Sequence, residues 1–203
     1  MRSLSEIDTI SKRALRAKGF SWGTSEEIGK SIKLLELFGL PGVKNLNQYL
    51  KIYDKNKFQK IKLISKSNMN KKKFLCPISL GISFLDQVKN LDKLNSIQFN
   101  KIAYPILFLP FVSRASEILG KKILVIIDEK EFILNFNQSI FGSYYKNEIW
   151  EFANSIIIKF MKNQNSFSEI EWKEMTKFAN ETFVDETDEL KHKSAGAGLT
   201  DND

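Results

Sequence analysis

The composition of this 203-residue chain is that of a globular protein able to bury a core without a disulfide or a structural metal. Hydrophobic residues make up 42% of it and phenylalanine occurs 16 times, which excludes an intrinsically disordered chain, since such chains are poor in aromatic side chains. The single cysteine, Cys76, excludes an internal disulfide. One cysteine and one histidine are also too few soft ligands for a structural zinc site.

The formal net charge of +7 raises the question of nucleic-acid binding. Lysine outnumbers arginine 27 to 4, and the accompanying wealth of asparagine and isoleucine is typical of proteins from AT-rich genomes. Because recognition motifs are missing and arginine is scarce, we expect no specific nucleic acid as a partner, only a weak, salt-sensitive attraction. The three lysines at residues 71–73 are where specific binding would be sought first.

No part of the sequence approaches the ~18 consecutive apolar residues that a membrane span requires. The first residues lead directly into a charged helical pattern and show no apolar core of a signal peptide. We therefore expect no membrane association and a cytoplasmic location.

Helical spacing dominates the first part of the chain. Apolar residues recur at this spacing over residues 4–17 behind Ser3, a good N-cap, and predict a first helix that stops at Gly19. The sequence Thr-Ser-Glu-Glu at residues 24–27 has the form of a capping box and predicts the start of a second helix there. A third, weaker helix is expected from residue 43 to residue 53, so residues 1–55 form a helical subregion that contains a helical hairpin.

The middle of the chain is harder to assign. Residues 54–73 are rich in lysine and predict a connector or an exposed strand pair, and residues 78–88 predict a helix. Two short apolar runs, at residues 97–99 and 105–112, fit either buried strands or the start of a buried helix, because periodicity does not separate these alternatives.

The remainder predicts a sheet followed by a helix. Residues 122–128 form the clearest strand, with residues 132–136 as its antiparallel partner. Residues 149–161 are either a third strand or a helix, and a capping box at Ser168 and Glu171 opens a last helix through Phe183. We therefore predict an α+β fold, in which the helical hairpin joins a small, mostly antiparallel sheet with packing helices. A single domain spans residues 1–184, followed by a glycine-rich acidic tail at 185–203.

The tail is the main candidate binding segment. Gly196 and Gly198 permit positive φ, so that the backbone can lie against a groove or wrap an anion, and Leu199 would anchor the docked tail. Asp201 and Asp203 would meet a basic groove or a hard cation. A solvated end with no specific contact is the alternative, and no metal site is assigned.

Two further features have both a functional and a structural interpretation. Trp22 lies in the connection between the first two helices, where it is either a contact for a ligand or partner or, as we favour, a hydrophobic plug that packs the hairpin together with Phe38. Cys76 and His192 are the only thiol–imidazole combination available to a nucleophilic enzyme. We expect Cys76 to be a buried structural residue instead.

Two segments resemble an uncharacterised bacterial family of about this length, known only as a domain of unknown function. They are the N-terminal residues 3–30, including Gly-Phe-Ser-Trp-Gly at 19–23, and the C-terminal Ala-Gly-Ala-Gly-Leu-Thr-Asp-Asn-Asp at 195–203. The resemblance implies no activity.

A weaker likeness covers the first 50 residues, where two helices and Gly-Leu-Pro-Gly-Val-Lys at 39–44 resemble the start of the malate/lactate/sulfolactate dehydrogenases that lack a Rossmann fold. That family has a Ser-His-Gly segment here that supplies a catalytic histidine, whereas this chain has Pro41, Gly42 and Val43. The likeness therefore implies a shared helical module without dehydrogenase chemistry.

These observations predict a non-catalytic binding or accessory protein for a metabolic enzyme. Its partner is expected to be an enzyme subunit or a small metabolite, because the sequence has no placed histidine and no cofactor signature. An enzyme of unrecognised class acting on a small metabolite is the alternative. The cofactor and the oligomeric state are left open.

Overall fold

The computed structural model describes residues 2–54, 56–70, 73–135, 139–143, 148–162 and 164–182. Two compact units, residues 1–163 and residues 164–203, are described separately. The described residues of the first unit contain five α-helices: α1 (Leu4–Ala17), α2 (Trp22–Leu37), α3 (Gly42–Ile52), α4 (Pro77–Leu91) and α5 (Leu109–Leu119). Its strands are β1 (Ser67–Asn68), β2 (Ser96–Ala103), β3 (Ile123–Ile127), β4 (Lys130–Asn135), β5 (Ser139–Gly142) and β6 (Phe152–Phe160). Short 3-10 helices at Asp92–Leu94 and Pro105–Phe108 precede β2 and α5.

The six strands form one sheet in the order β1-β2-β6-β3-β4-β5. Among the strands that the structure describes, only the short edge strand β1 runs parallel to its neighbour, and the other strand pairs are antiparallel. The predicted α+β class, with an N-terminal helical hairpin and a mostly antiparallel sheet, is therefore confirmed.

The core lies between this sheet and the helices. Alternate side chains along the strands, such as Phe99, Val125 and Ile158, are completely buried, whereas the residues between them are exposed or half-buried. This period of two is expected of a sheet with one covered face. Helices α4 and α5 contact the strands. Helix α2 contacts α5, α3 contacts the 3-10 turn at Pro105–Phe108, and α1 packs on α2 and α3.

The helical hairpin forms much as predicted at its first helix and differs at its second. Ser3 caps α1 with a full capping box, in which Glu6 bonds back, and Gly19 takes a φ of +83° just after the helix. The second helix begins at Trp22, because Ser21 rather than Thr24 is its N-cap and accepts a hydrogen bond from the Thr24 amide. The predicted capping box at residues 24–27 is wrong, since Ser21 offers the same hydroxyl cap one turn earlier.

Tertiary contacts decide between strand and helix for the apolar runs that the sequence left open. Residues 105–112 form the 3-10 turn and the start of α5, whereas residues 97–99 belong to β2. Residues 149–161 contain β6, which pairs with β2 on one side and β3 on the other. A central strand is buried on its inner face and flanked on both edges, which explains its run of three isoleucines, residues 156–158.

The described part of the predicted connector at 54–73 contains little regular structure, but it is anchored. Phe58 and Ile64 are buried in the core. Asn70 and Asn100 exchange hydrogen bonds, the Asn70 amide donating to Asn100 Oδ1 and Asn100 Nδ2 donating to the Asn70 carbonyl. These contacts hold the connector against β2.

The second unit contains α6 (Glu169–Asn180), which opens with the predicted capping box of Ser168 and Glu171. The hydrogen bond from the Ser168 amide holds the pKa of the Glu171 carboxyl below its usual range. The prediction of a single domain over residues 1–184 stays a prediction. No helix of the described ranges has both the length and the apolarity needed to cross a bilayer.

Candidate ligand-binding cavity

The tail residues proposed from the sequence, Gly196, Gly198, Leu199, Asp201 and Asp203, lie outside the described residues. The same holds for His192, so that the thiol–imidazole pair is untested. Within the ranges that are described, no cluster of three or more His, Cys, Asp or Glu side chains has the arrangement of a metal site. The candidate site is therefore built from the residues of the first unit.

Trp22 does not plug the helical hairpin. Its side chain is 65% exposed at the first turn of α2, where the Arg16 guanidinium lies 4.5 Å from the ring centroid. Arg16 also donates to the Phe20 carbonyl, which fixes the cation beside the indole. Phe38, at the end of α2, is only half-buried. The predicted packing role of Trp22 is wrong, because its indole lies at the surface, whereas Leu15 of α1 and Ile28 of α2 are buried in the core.

Cys76 caps the N-terminus of α4 from inside the core. It is 3% exposed, and its Sγ accepts a hydrogen bond from the Ser79 amide at 3.4 Å. Pro77 follows at the first helical position, where its missing N–H costs nothing and its fixed φ suits the helix. The Sγ also lies 3.1 Å from the hydroxyl of Tyr49 on α3. The expectation that Cys76 is buried is confirmed.

Tyr49 is the centre of an aromatic group. Its ring contacts Tyr53, Phe58 and Tyr104 at centroid distances of 5.3 to 5.8 Å. Burial raises the pKa of Tyr49 far above its ordinary value, and the neighbouring Cys76 raises it further through its charge and its hydrogen bond. Tyr49 therefore stays neutral and keeps its proton throughout the physiological range.

A cavity of about 240 Å³ lies beside Cys76. Its wall joins the N-terminal ends of α2 and α4 to the connector, and its lining residues are Gly19, Phe20, Ser21, Thr24, Tyr53, Lys60, Cys76, Ile78, Ser79 and Ile82. Aromatic and aliphatic side chains form one part of the wall, and hydroxyl groups and the Lys60 ammonium form the other. This is the mixture typical of small-molecule sites.

The polar side of the cavity favours an anion. Residues at the N-terminal ends of α2 and α4, where a helix carries partial positive charge, line the cavity, and the Ile78 amide in the first turn of α4 has no acceptor within that helix. Lys60 is exposed and has no hydrogen-bond or ion-pair partner among the residues that the structure describes. An amide, hydroxyl groups and a free ammonium around one space suit a carboxylate or phosphate oxygen.

Residues 2–75 match the model of a family described as a protein of unknown function, DUF3726. The matched segment covers α1 to α3, the described part of the connector and Leu75, and it ends one residue before Cys76. It supports the expected resemblance to an uncharacterised domain family. The resemblance carried by residues 195–203 and the dehydrogenase likeness stay predictions. No curated protein and no solved structure matches the chain.

The matched segment supplies more than half of the cavity wall, from Gly19 to Lys60, and α4 supplies the rest. Sequence reasoning missed this site. The signal available was Cys76 followed by Pro77 at a predicted helix start, which marks an N-cap position. Lys60 gave no signal, because it is one lysine of a lysine-rich segment.

A second cleft, of about 300 Å³, lies between α2 and α5. Glu27 forms ion pairs there with Arg114 and with Lys30, the latter at 3.5 Å. Each cation already has a carboxylate partner, so a charged ligand would have to break an existing pair. The cavity beside Cys76 is therefore the stronger candidate.

Proposed function

We propose that this chain is a non-catalytic binding protein that takes a small anionic metabolite and acts as an accessory to a metabolic enzyme. The observation that carries the proposal is that Lys60, Ile78 and residues at the N-terminal ends of two helices line one cavity that also has an apolar wall. The cavity volume suits a molecule of a few carbon atoms with one acidic group.

The Cys76–Tyr49 pair supports binding rather than catalysis. A nucleophilic thiol needs a base that removes its proton. The Tyr49 phenol is neutral and buried, so it serves as a hydrogen-bond partner and not as a base. With its Sγ engaged by Tyr49 and by the Ser79 amide, Cys76 orders the cavity wall.

Calorimetric titration of the purified chain with phosphate, acetate, pyruvate and succinate tests the proposal. We expect one of these anions to bind at a single site and Lys60→Glu to weaken it by about ten-fold or more, because a charge-assisted hydrogen bond is replaced by repulsion. Lys66→Glu is the matched control, since it makes the same charge change on an exposed residue outside the cavity. Equal losses in both variants, or no binding of any anion, would overturn the proposed site.

A separate experiment tests whether the chain is non-catalytic. The bound anion is incubated with the chain and followed by NMR, and we expect it to remain chemically unchanged. Turnover by the chain alone would support the alternative, an enzyme of unrecognised class acting on a small metabolite. Cys76→Ser would then abolish that turnover if the thiol is the nucleophile.

The accessory part of the proposal draws support from α6. Ile170, Trp172, Met175 and Phe178 are each more than half exposed on this helix. Exposed apolar helix faces of this kind dock in grooves of other proteins. Because four glutamates against two lysines flank these side chains over residues 169–181, we propose a partner groove with an apolar floor and a basic rim.

A photocrosslinking amino acid at position 175, introduced in the source cell, tests this docking. We expect one crosslinked enzyme whose purified form binds the chain and changes its turnover rate. The same crosslinker at Lys173 is the control, and Trp172→Ala with Met175→Ala should abolish binding. Crosslinks to many unrelated proteins at both positions would contradict the proposal.

Trp22 and the tail residues Gly196, Gly198, Leu199, Asp201 and Asp203 remain proposed contacts with that partner. Deletion of residues 195–203 tests the tail. We expect weaker binding of the crosslinked enzyme at unchanged thermal stability. An unchanged affinity would show that the tail is only a solvated end.

A further inference from the structure

The helices of residues 1–163 cover one face of the sheet and leave the other face open within the described residues. Side chains that point toward the helices, such as Ile123 and Phe132, are fully buried. On the opposite face, Ile133 is 44% and Phe141 is 57% exposed, although both are large and apolar. An open sheet face with large exposed apolar side chains is a common protein interface.

The strand register places two rows of side chains across the middle of this face. The first row, from β6 through β3 and β4 to β5, is Lys159, Leu124, Ile133 and Phe141. The second row, from β6 through β3 to β4, is Ile157, Ile126 and Glu131. The block formed by β6, β3 and β4 therefore has four aliphatic residues and two charged residues at diagonally opposite corners.

The two charged corners are not paired with each other. By the usual sheet spacings, Lys159 and Glu131 lie about 12 Å apart at their backbones, since they are separated by two strands and two residues. Both side chains are exposed, and neither forms an ion pair with another described residue. Each therefore presents an unpaired charge at the edge of an apolar patch.

We propose that this face is the interface of a homodimer. A two-fold axis that lies in the interface and passes between Leu124 and Ile126, roughly along the diagonal from Ile133 to Ile157, exchanges the two charged corners. It brings Lys159 of each copy against Glu131 of the second copy and packs the aliphatic residues between them. Such self-complementarity is what a two-fold interface requires, and the strands of the two sheets then cross steeply, as in orthogonal sheet packings.

Charge reversal tests this proposal on the full chain. Mass is measured by sedimentation velocity over a range of protein concentrations, and we expect a dimer for the wild type. Lys159→Glu alone and Glu131→Lys alone should each weaken the dimer about ten-fold or more, because each places like charges in contact twice per dimer. The double variant should restore the dimer, since the pair is exchanged and not removed.

Two further variants separate this face from other surfaces. Ile133→Glu puts a carboxylate into the patch and should give a monomer with an unchanged far-UV spectrum. Glu129→Lys makes the same charge change as Glu131→Lys at an exposed position between β3 and β4, and should leave the dimer intact. A monomeric wild type, a dimer insensitive to Ile133→Glu, or a double variant that remains weakened would each overturn the proposal.

Discussion

The Tyr49 hydroxyl lies 3.1 Å from Cys76 Sγ, which connects α3 to the N-terminus of α4 across 27 residues of sequence. Both residues are almost completely buried, at 0% and 3% exposure. The pair therefore couples the last helix of the N-terminal subregion to the first helix that packs on the sheet. It also forms the boundary between the core and the cavity.

The buried phenol predicts how stability changes in alkali. The pKa of Tyr49 is raised in the folded state, so the folded chain holds this proton at pH values where the unfolded chain, with an ordinary pKa near 10, has lost it. The contribution of the neutral Tyr49 phenol to the unfolding free energy is fully present below pH 10 and is lost as the pH rises above 10. Urea unfolding between pH 8 and pH 11 should show a fall in unfolding free energy that is shallower in Tyr49→Phe. Equal slopes would show that Tyr49 ionises in the folded state as readily as in the unfolded state.

Gly81 on α4 lies against the ring of Phe111 on α5. A Cβ atom at this position would overlap that ring, which is almost completely buried. Gly81→Ala should therefore cost about 1–3 kcal/mol, the usual penalty for overpacking. Gly23→Ala is the control, because its Cβ meets nothing within 4 Å and alanine favours the helix. Chemical denaturation should show a lower unfolding free energy for Gly81→Ala and a higher one for Gly23→Ala.

Asn45 joins α3 to the segment before β6. Its Nδ2 donates to the Pro41 carbonyl at 2.7 Å, and its Oδ1 accepts from the Trp150 amide at 2.9 Å, all with no exposure to solvent. Asn45→Ala removes the acceptor of the Trp150 amide and should lower the unfolding free energy by about 1–3 kcal/mol. Asn45→Asp keeps that acceptor but loses the donor, so thermal unfolding should separate the two contributions. A change in unfolding free energy of less than about 0.5 kcal/mol, the usual size for a surface substitution, would contradict this role.

Trp22 should matter little for stability. Its exposed ring and its contact with Arg16 predict a loss of about 0.5–1 kcal/mol for Trp22→Ala, the range of an exposed cation–π contact. Phe84→Ala, a fully buried residue on α4, should cost about 3–5 kcal/mol. Both variants, Trp22→Ala and Phe84→Ala, are measured by the same chemical denaturation experiment. A loss above about 2 kcal/mol at Trp22 would mean that the indole packs in the hairpin after all.

Local patterns in the sequence predicted the helices and the clearest strands. Ser3 with Glu6 and Ser168 with Glu171 form the capping boxes that mark helix starts, because a hydroxyl and a carboxylate satisfy free amides within four residues. The strands at residues 122–128 and 132–136 were also predictable, because alternation and a short turn determine a hairpin locally. Where two nearby hydroxyl residues could each cap the same helix, as Ser21 and Thr24 could at the start of α2, the predicted N-cap was wrong.

Periodicity and helix caps were enough to predict the fold class, because both depend on contacts between residues that are near in sequence. The tertiary structure was needed to show that residues 149–161 contain the central strand β6 and not a helix, since a run rich in isoleucine suits either until its neighbours are known. It also decided that Cys76 meets Tyr49 and that Lys60 faces the same cavity as the N-termini of α2 and α4. These residues are far apart in sequence and are brought together by packing, so no local sequence pattern predicts their proximity.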